Sequence, residues 1–347
     1  MKRHKIILGD FHLKLNTKEY LGVLFDQVVA QVPDDGADLV ILGDINDGKA
    51  IIRSEIQTYL INFLLGVVDK FSHIYLLVGN HDLENLQKHT SSLEVLKRIH
   101  PNIVVIDKPM FLDGDLFVPY LHDQKAFSDL MKHSGDAPYV FCHQGFNGFE
   151  YRNGVVCDDA IDVSVLPSSV KKVFCGHFHK PQKKKNLTYV GSCWSQSFGE
   201  ADQQKRFFVL FKDGKQEEHK ISGLPRHIIC DLKANGIEQL QTSLETMSGK
   251  IEKQDIVKLV ITAPKDVISK IELDDVSDRL ASCGSLQLQL LSKEDRPDIV
   301  INESLNPIDM LYEYIEHKKD EYRDVDTKAL KSLGKQYIQS CEESVDA

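Results

Sequence analysis

An α/β sandwich, followed by a smaller α/β module and a helical tail, is the fold this 347-residue chain predicts. Three observations predict it. Over the first 220 residues, short β-rich apolar runs alternate with amphipathic stretches of helical period. Polar clusters rich in Asp, His and Asn close several of those runs, and a glycine often precedes them. Near Ser222-Gly223-Leu224-Pro225 the pattern breaks and a new, compact β/α alternation begins.

The candidate strands, in order, are Lys5–Leu8, Asp38–Leu42, His73–Val78, Asn102–Ile106, Leu116–Pro119, Tyr139–Cys142, Lys172–Cys175, Leu187–Val190 and Arg206–Phe211. Helical periodicity fills Lys18–Gln31, Glu55–Val68 and Leu86–Ile99. The order βαβαβ, then a strand-rich half, is that of a layered α/β fold. This body is expected to span residues 1–222. A second domain, 223–295, reads as strand His227–Asp231, helix Ile237–Thr246, strand Asp255–Ile261, helix Lys265–Leu280 and strand Ser285–Leu291. It holds no cluster of catalytic residue types, so it is expected to cap the site or shape its substrate. A linker at Glu294-Asp295-Arg296-Pro297 opens the tail, 296–347. There Asn306 suits an N-cap and Pro307 the first helical position. Ile308, Leu311, Tyr312 and Ile315 form an apolar stripe, and a second helix is expected over Thr327–Ser340. The stripe either packs on the chain's own body or docks on a partner, the reading adopted here.

Composition narrows the function. Hydrophobic content of 42% and charged content of 27% belong to a soluble globular protein. No apolar run approaches the ~20 residues that span a bilayer. The basic start Met1-Lys2-Arg3-His4-Lys5 precedes only a three-residue apolar stretch, so a cytoplasmic protein without a signal peptide is expected. Seven scattered cysteines without a C-x-x-C pair argue against a disulfide framework or structural zinc. The net charge is −10, but residues 297–347 alone hold 12 acidic against 6 basic side chains. The acidity therefore leaves a nucleic-acid substrate open. Basic residues gather instead around one cluster: Lys171, Lys172, Lys180, Lys183, Lys184, Lys185, Lys205 and Arg206. A solvated loop explains such a run, and so does contact with a DNA backbone.

The polar clusters are Asp10-Phe11-His12, Gly43-Asp44, Gly79-Asn80-His81-Asp82, His143, Gly176-His177-Phe178-His179 and Gly191-Ser192. Two metals bound ~3.5–4 Å apart need one shared carboxylate and a few neutral ligands on each. Imidazole mixed with carboxylate suits Mn²⁺, Fe²⁺ or Zn²⁺ better than Ca²⁺. Taken singly, each cluster is a common turn or a core histidine. All of them together, each after a predicted strand, point to a two-metal hydrolytic centre. Ser192 and Ser195 lie nearby, but neither has an adjacent histidine in a nucleophile motif.

The set D-x-H, G-D-x-x-D, G-N-H-D, H and G-H-x-H resembles the calcineurin-like metallophosphoesterase superfamily, and within it the SbcD-type DNA-repair nucleases, bacteriophage members included. Tyr189-Val190-Gly191-Ser192 with Ser197-Phe198-Gly199-Glu200, and Val118-Pro119-Tyr120, resemble further segments of that type. The resemblance implies a metallophosphoesterase αββα sandwich. It implies that Asp10, His12 and His179 bind one ion, Asn80, His143 and His177 the other, and that Asp44 bridges them. His81 would face the scissile phosphate as general acid or electrostatic stabiliser, and Asp82 would orient it through its other ring nitrogen; an N-cap for the following segment is a second use of the Asp82 side chain, and the two are compatible. Two divalent ions, Mn²⁺ foremost, would activate water against phosphodiesters at double-stranded DNA ends, with single strands a further substrate. Lys180, Lys183, Lys184 and Lys185 would meet the DNA. The resemblance also implies a homodimer, for which Ile56, Leu60, Phe63 and Leu64 offer a face, although the same spacing equally describes a core-facing stripe. An SMC-like ATPase of the SbcC type would grip the tail through Ile308, Leu311, Tyr312 and Ile315. Its role would lie in DNA repair, recombination or replication.

Departures from the pattern are Lys14 where glycine is usual, Asn46 for an aromatic, and Cys142 before His143. They leave the ligand set complete and the role of Asp47 open. Two other readings compete: a phosphomonoesterase or small-molecule phosphodiesterase on the same fold, and a non-catalytic scaffold that binds DNA ends.

Overall fold

The computed structural model describes all residues except 1–2, 50, 86–89, 133, 135–136, 152–154, 282, 293–306, 319–325 and 347. The expected linker at 294–297 and the Asn306 cap lie outside the described residues. The chain divides into two compact units, one of Met1–Cys230, Lys250–Lys258 and Leu280–Gln287, the other of Asp231–Gly249, Leu259–Arg279 and Leu288–Ala347.

The first unit begins β1 (His4–Leu8), α1 (Tyr20–Val29), β2 (Ala37–Ile41), α2 (Ser54–Val67), β3 (Ile74–Leu77) and β4 (Ile103–Ile106). It continues β5 (Met110–Leu112), β6 (Asp115–Val118), α3 (Gln124–Lys132), β7 (Tyr139–His143), β8 (Lys172–Gly176), β9 (Gln182–Lys184), β10 (Leu187–Tyr189), β11 (Arg206–Leu210) and β12 (Gln216–Lys220). Two six-stranded sheets result, in the orders β12-β11-β1-β2-β3-β4 and β5-β6-β7-β8-β10-β9. β1 to β4 run parallel, as do β6, β7, β8 and β10.

Alternation of side chains decides the layering. Ile6 and Leu8 of β1, with Leu39 and Ile41 of β2, join a core under α1 and α2. Their neighbours Ile7 and Val40 point the other way, into a core shared with Phe117, Phe141 and Phe174 of the second sheet. Val140, Cys142, Val173 and Cys175 then form a third core with Phe127 of α3. Strands covered on both faces read as unbroken apolar runs, which is why they were visible in the sequence. Lys5 shares the parity of Ile7 and is buried against Asp115 at 2.8 Å.

The structure corrects several expectations. Ile56, Leu60 and Leu64 are buried in the core under α2, and Phe63 packs against it. The stripe therefore serves the fold and supplies no dimer face. Leu60→Ala should lower stability by about 3 kcal/mol, as a buried leucine does; a thermal melt would check this, and sedimentation should show an unchanged oligomeric state. The helix expected over Leu86–Ile99 is only a 3-10 turn, Glu94–Arg98, among the described residues. The reason is local: Leu83 and Ser91 form a β-bridge, and the Ser92 amide donates to the Asp82 carbonyl. β5, β9, β12 and α3 were not anticipated.

Beyond the first sheets come β13 (His227–Lys233), α4 (Ile237–Ser248), β14 (Ile256–Ala263), α5 (Lys265–Ile268), α6 (Leu273–Arg279) and β15 (Ser285–Ser292). The three strands pair in the order β13-β14-β15. The single helix expected over 265–280 is two, because 3-10 bonding at Lys270 and Ile271 ends the first, and the Ser269 hydroxyl caps back onto the Asp266 carbonyl.

The tail contains α7 (Pro307–Lys318) and α8 (Thr327–Asp346). Ile315 is buried and Ile308, Leu311 and Tyr312 are half-buried. A side chain at Gly334 of α8 would collide with Leu311, so the two helices touch there. The more exposed apolar groups are Tyr314 on α7 and Leu330, Leu333 and Tyr337 on α8.

Candidate metal centre

The clusters converge at the carboxyl ends of β1, β2, β3, β7 and β8. Asp10 and His12 follow β1, Asp44 follows β2, Asn80 and His81 follow β3, His143 ends β7, and His177 and His179 follow β8. The loops are locked together. The Phe11 and His12 amides donate to the Asp44 carbonyl at 3.1 and 2.8 Å. The His177 amide donates to the Asp10 carboxylate at 3.1 Å, and the His81 amide donates to Asp44 Oδ1 at 2.8 Å.

The backbone is strained where it presents these groups. His12, Asp44 and His177 have φ of 48°, 48° and 87°, which side-chain-bearing residues rarely adopt. Gly43, at φ 106°, cannot be replaced cheaply: a Cβ there would stand 2.5 Å from His143 Nδ1 and 3.0 Å from Gly79. Close approach of β2, β3 and β7 is the physical reason for that glycine.

Two sets of potential metal ligands emerge, each with its atoms within 4.8 Å of one another: Asp10, His12 and His179, and Asp44, His143 and His177. Asn80 joins the second, its Oδ1 lying 3.0 Å from His143 Nε2 and 2.8 Å from His177 Nδ1. Asp44 Oδ2 stands between the sets, 3.2 Å from His143 Nε2 and 3.5 Å from His12 Nε2. A third set, His12, Asp47 and His81, was not anticipated.

Hydrogen bonding tests whether these residues fit divalent ions. His143 Nδ1 donates to the Leu42 carbonyl at 2.7 Å. Once Nε2 gives up its proton, its lone pair points at the place where Asp44 and Asn80 also aim their oxygens. His179 Nδ1 donates to Glu200 Oε1 at 2.7 Å, and His12 Nδ1 lies 3.4 Å from Asp47 Oδ1. The two Nε2 atoms then face one another at 2.9 Å. Lone pairs converging in a buried site call for a cation, and Nδ1 bonds of this kind are how ligand imidazoles are oriented. The residues fit.

Electrostatics agree. Burial opposes the charge on His143, but Asp44 and Asp10 outweigh it and push its pKa up to about 9. Burial opposes ionisation of Asp44 too, yet His143 and His12 hold it well below the usual carboxylate range. Burial, then His143, pushes His177 down to about 3, so this ring is neutral.

Asp82 is a correction. Its carboxylate does not meet His81; it accepts the amides of Ile45, Asn46 and Gly79 at 3.0–3.1 Å. His81 Nδ1 instead donates to the Asp47 carbonyl at 3.2 Å. The tight turn after β3 aims the Asp82 carboxylate back at the chain. Lys205 is a second correction: it is buried and bonded to Glu200 at 2.7 Å, so it is no part of a basic surface. Ser195 does meet a histidine, His227 Nδ1 at 2.9 Å. No carboxylate bonds the other nitrogen of that ring among the described residues, so no triad forms.

The lysine run recedes from the centre. Lys180 pairs with Glu150, and Lys184 donates to the Gly148 carbonyl. Lys184 lies abreast of Leu187, and Leu187 abreast of Val173, three residues short of the catalytic end of β8. At ~3.3 Å per residue that is about 10 Å back along the strand. Lys172, farther still, is pushed down to about 8 by burial and then by Lys183 and Arg206.

Sequence reasoning singled out Glu200 only as the end of the Ser197-Phe198-Gly199-Glu200 segment and gave it no role. It also missed the carbonyls of Leu42 and Asp47, which have no sequence signal at all.

Two sheets carrying a mixed Asp/His/Asn centre at their strand ends define a metal-dependent phosphoester hydrolase. The chain belongs to the calcineurin-like phosphoesterase family, whose profile matches residues 5–181. It is similar to "Exonuclease subunit 1" of Enterobacteria phage T4, 26% identical over 225 residues, covering 61% of this chain and 65% of the phage protein. It is also 26% identical over 251 residues to "Putative phosphoesterase 244L" of Invertebrate iridescent virus 6, covering 68% of this chain and 87% of that protein. The match thus spans just under two thirds of the phage protein's length. No helix among the described residues is long and apolar enough to cross a membrane.

Proposed function

We infer that this chain is the nuclease subunit of a DNA-processing complex and hydrolyses phosphodiester bonds at DNA ends. The observation that carries the reading is the shared position of Asp44 between two ligand sets. The phage relative's description as an exonuclease subunit supports a nucleic acid as the substrate.

Asp10, His12 and His179 would hold one ion, Asn80, His143 and His177 the other, with Asp44 common to both. Manganese suits this donor set. When bound, two such ions lower the pKa of water and neutralise charge on the phosphate oxygens. The protein's own part is to fix the imidazoles through their Nδ1 bonds and to place His81 at the rim. With Nδ1–H given to Asp47, His81 must take up a proton before it can donate to a leaving oxygen. The negative charge of a bound phosphate favours that uptake. Lys180 is the lysine of its run nearest the centre and would meet the DNA backbone first, with Lys183, Lys184 and Lys185 extending the track. The domain at 223–295 would shape the DNA path. Helices α7 and α8 would hold an SMC-like ATPase through the apolar groups they expose, Tyr314, Leu330, Leu333 and Tyr337, because Ile315 of the expected stripe is buried and Leu311 meets α8 at Gly334.

Ion uptake should depend on pH with a defined sign. Metal-free His143 keeps its proton up to about pH 9, and a ligand imidazole must lose it. Apparent affinity for Mn²⁺ should therefore rise about tenfold per unit from pH 7 to 9. Calorimetry in buffers of different ionisation enthalpy would read the released proton directly.

The reading itself is tested on end-labelled linear duplex DNA with Mn²⁺, Mg²⁺ or EDTA, and on a chromogenic phosphomonoester in parallel. Metal-dependent shortening of DNA supports it. Turnover of the monoester with intact DNA would replace it by a phosphomonoesterase.

A further inference from the structure

The imidazoles of the centre do not all lean on the same kind of group. His143 leans on a backbone carbonyl, that of Leu42. His179 leans on a side chain, Glu200, which is 1% exposed. Glu200 is in turn held from its other oxygen: Oε2 accepts the Ser192 hydroxyl at 3.0 Å, the Gln196 amide at 3.2 Å and the Lys205 ammonium at 2.7 Å. Lys205 also donates to Ser192 Oγ at 2.8 Å and to the His179 carbonyl at 3.3 Å. The ring and the carbonyl of His179 are thus tied to one buried network, built from residues 192–205. A buried ion pair adds little to stability compared with apolar packing of the same volume. Its use here is geometric.

We propose that Glu200 is a positioning residue for one ion site, that of Asp10, His12 and His179, and that it leaves the other site untouched. The proposal rests on the two-ion reading above. A carboxylate behind a ligand imidazole fixes the ring's tautomer and angle and raises its basicity, and loss of such a partner costs 10–100-fold in metal affinity. His12, on the same ion, is backed by a second carboxylate, Asp47. On the other ion, His143 is backed by the Leu42 carbonyl, which no change at Glu200 disturbs. The two ions are therefore separable by a substitution outside the ligand set.

The test is calorimetric titration of the chelator-treated full chain with Mn²⁺, alongside a thermal melt in EDTA. Wild type should take up two ions. Glu200→Ala should bind one of them within about threefold of wild type and the other about 10–100-fold more weakly. Glu200→Gln, whose amide oxygen still accepts from His179 Nδ1, should recover most of that loss. Should Glu200→Ala fail to fold, Glu200→Gln alone carries the test, with a smaller weakening confined to one ion. Equal weakening of both ions, or wild-type titration of both, overturns the proposal. A wild-type protein that binds no ion would instead overturn the two-ion reading.

Discussion

His81→Ala should reduce DNA cleavage by about 10²–10⁴-fold, the usual contribution of a positioned acid or base, while both ions still bind. His81 stands outside the two sets that share Asp44, although it joins His12 and Asp47 in the third, and its ring lies 4.6 Å from that of His12. Burial pushes its pKa down to about 4, with Asp44 opposing and His12 adding to the effect. The resting ring is neutral at pH 7, and its charge depends on the substrate. Single-turnover cleavage and Mn²⁺ titration of the same preparation would check this. Unchanged cleavage would remove His81 from the chemistry, and loss of an ion would make it a ligand.

Asp82→Ala should be the most damaging substitution to the fold of the centre. The carboxylate is fully buried and binds three amides from the loops that present Asp44 and Asn80. Its removal strands three buried N–H groups, each worth about 1–3 kcal/mol. A loss of about 3 kcal/mol or more is expected, read as a fall of several degrees in melting temperature, together with weaker uptake of both ions. Asp82→Asn keeps an acceptor oxygen and should fall between. A wild-type melting temperature in Asp82→Ala would mean that water takes over the three amides.

The parts that sequence reveals and conceals follow from where the information is stored. Strands covered on both faces are written as apolar runs, so β1, β2, β7 and β8 were legible, and the polar group at each end marked its ligand. β9 and β12 are short and charged, as edge strands often are, and looked like loops. The Asp113-Gly114 turn, with φ of 52° and 84°, was a hairpin signal that would have revealed β5. The apolar residues Leu93, Leu96 and Ile99 fit a helical period, but the backbone beside them was already engaged in the bridge to Leu83. The ligand histidines were legible because side chains are spelled out. Their supports were not, because that of His143 is a backbone carbonyl and that of His179, Glu200, acts across a fold the spacing alone does not describe. Asp82 was misassigned for a related reason: adjacency in sequence to His81 suggested a contact that the turn prevents.

The alternation of faces along β7 and β8 also sets where this chain tolerates a change of length. Removing one residue inside β7 would exchange Phe141 and Cys142 between two different cores and turn His143 away from Asn80. Adding one in the connection 144–161 leaves that count intact. An insertion in that connection thus spares the parity that aims His143, whereas one within β7 reverses it, although the connection is itself held by the Phe146–Ile161 and Glu150–Val156 bridges.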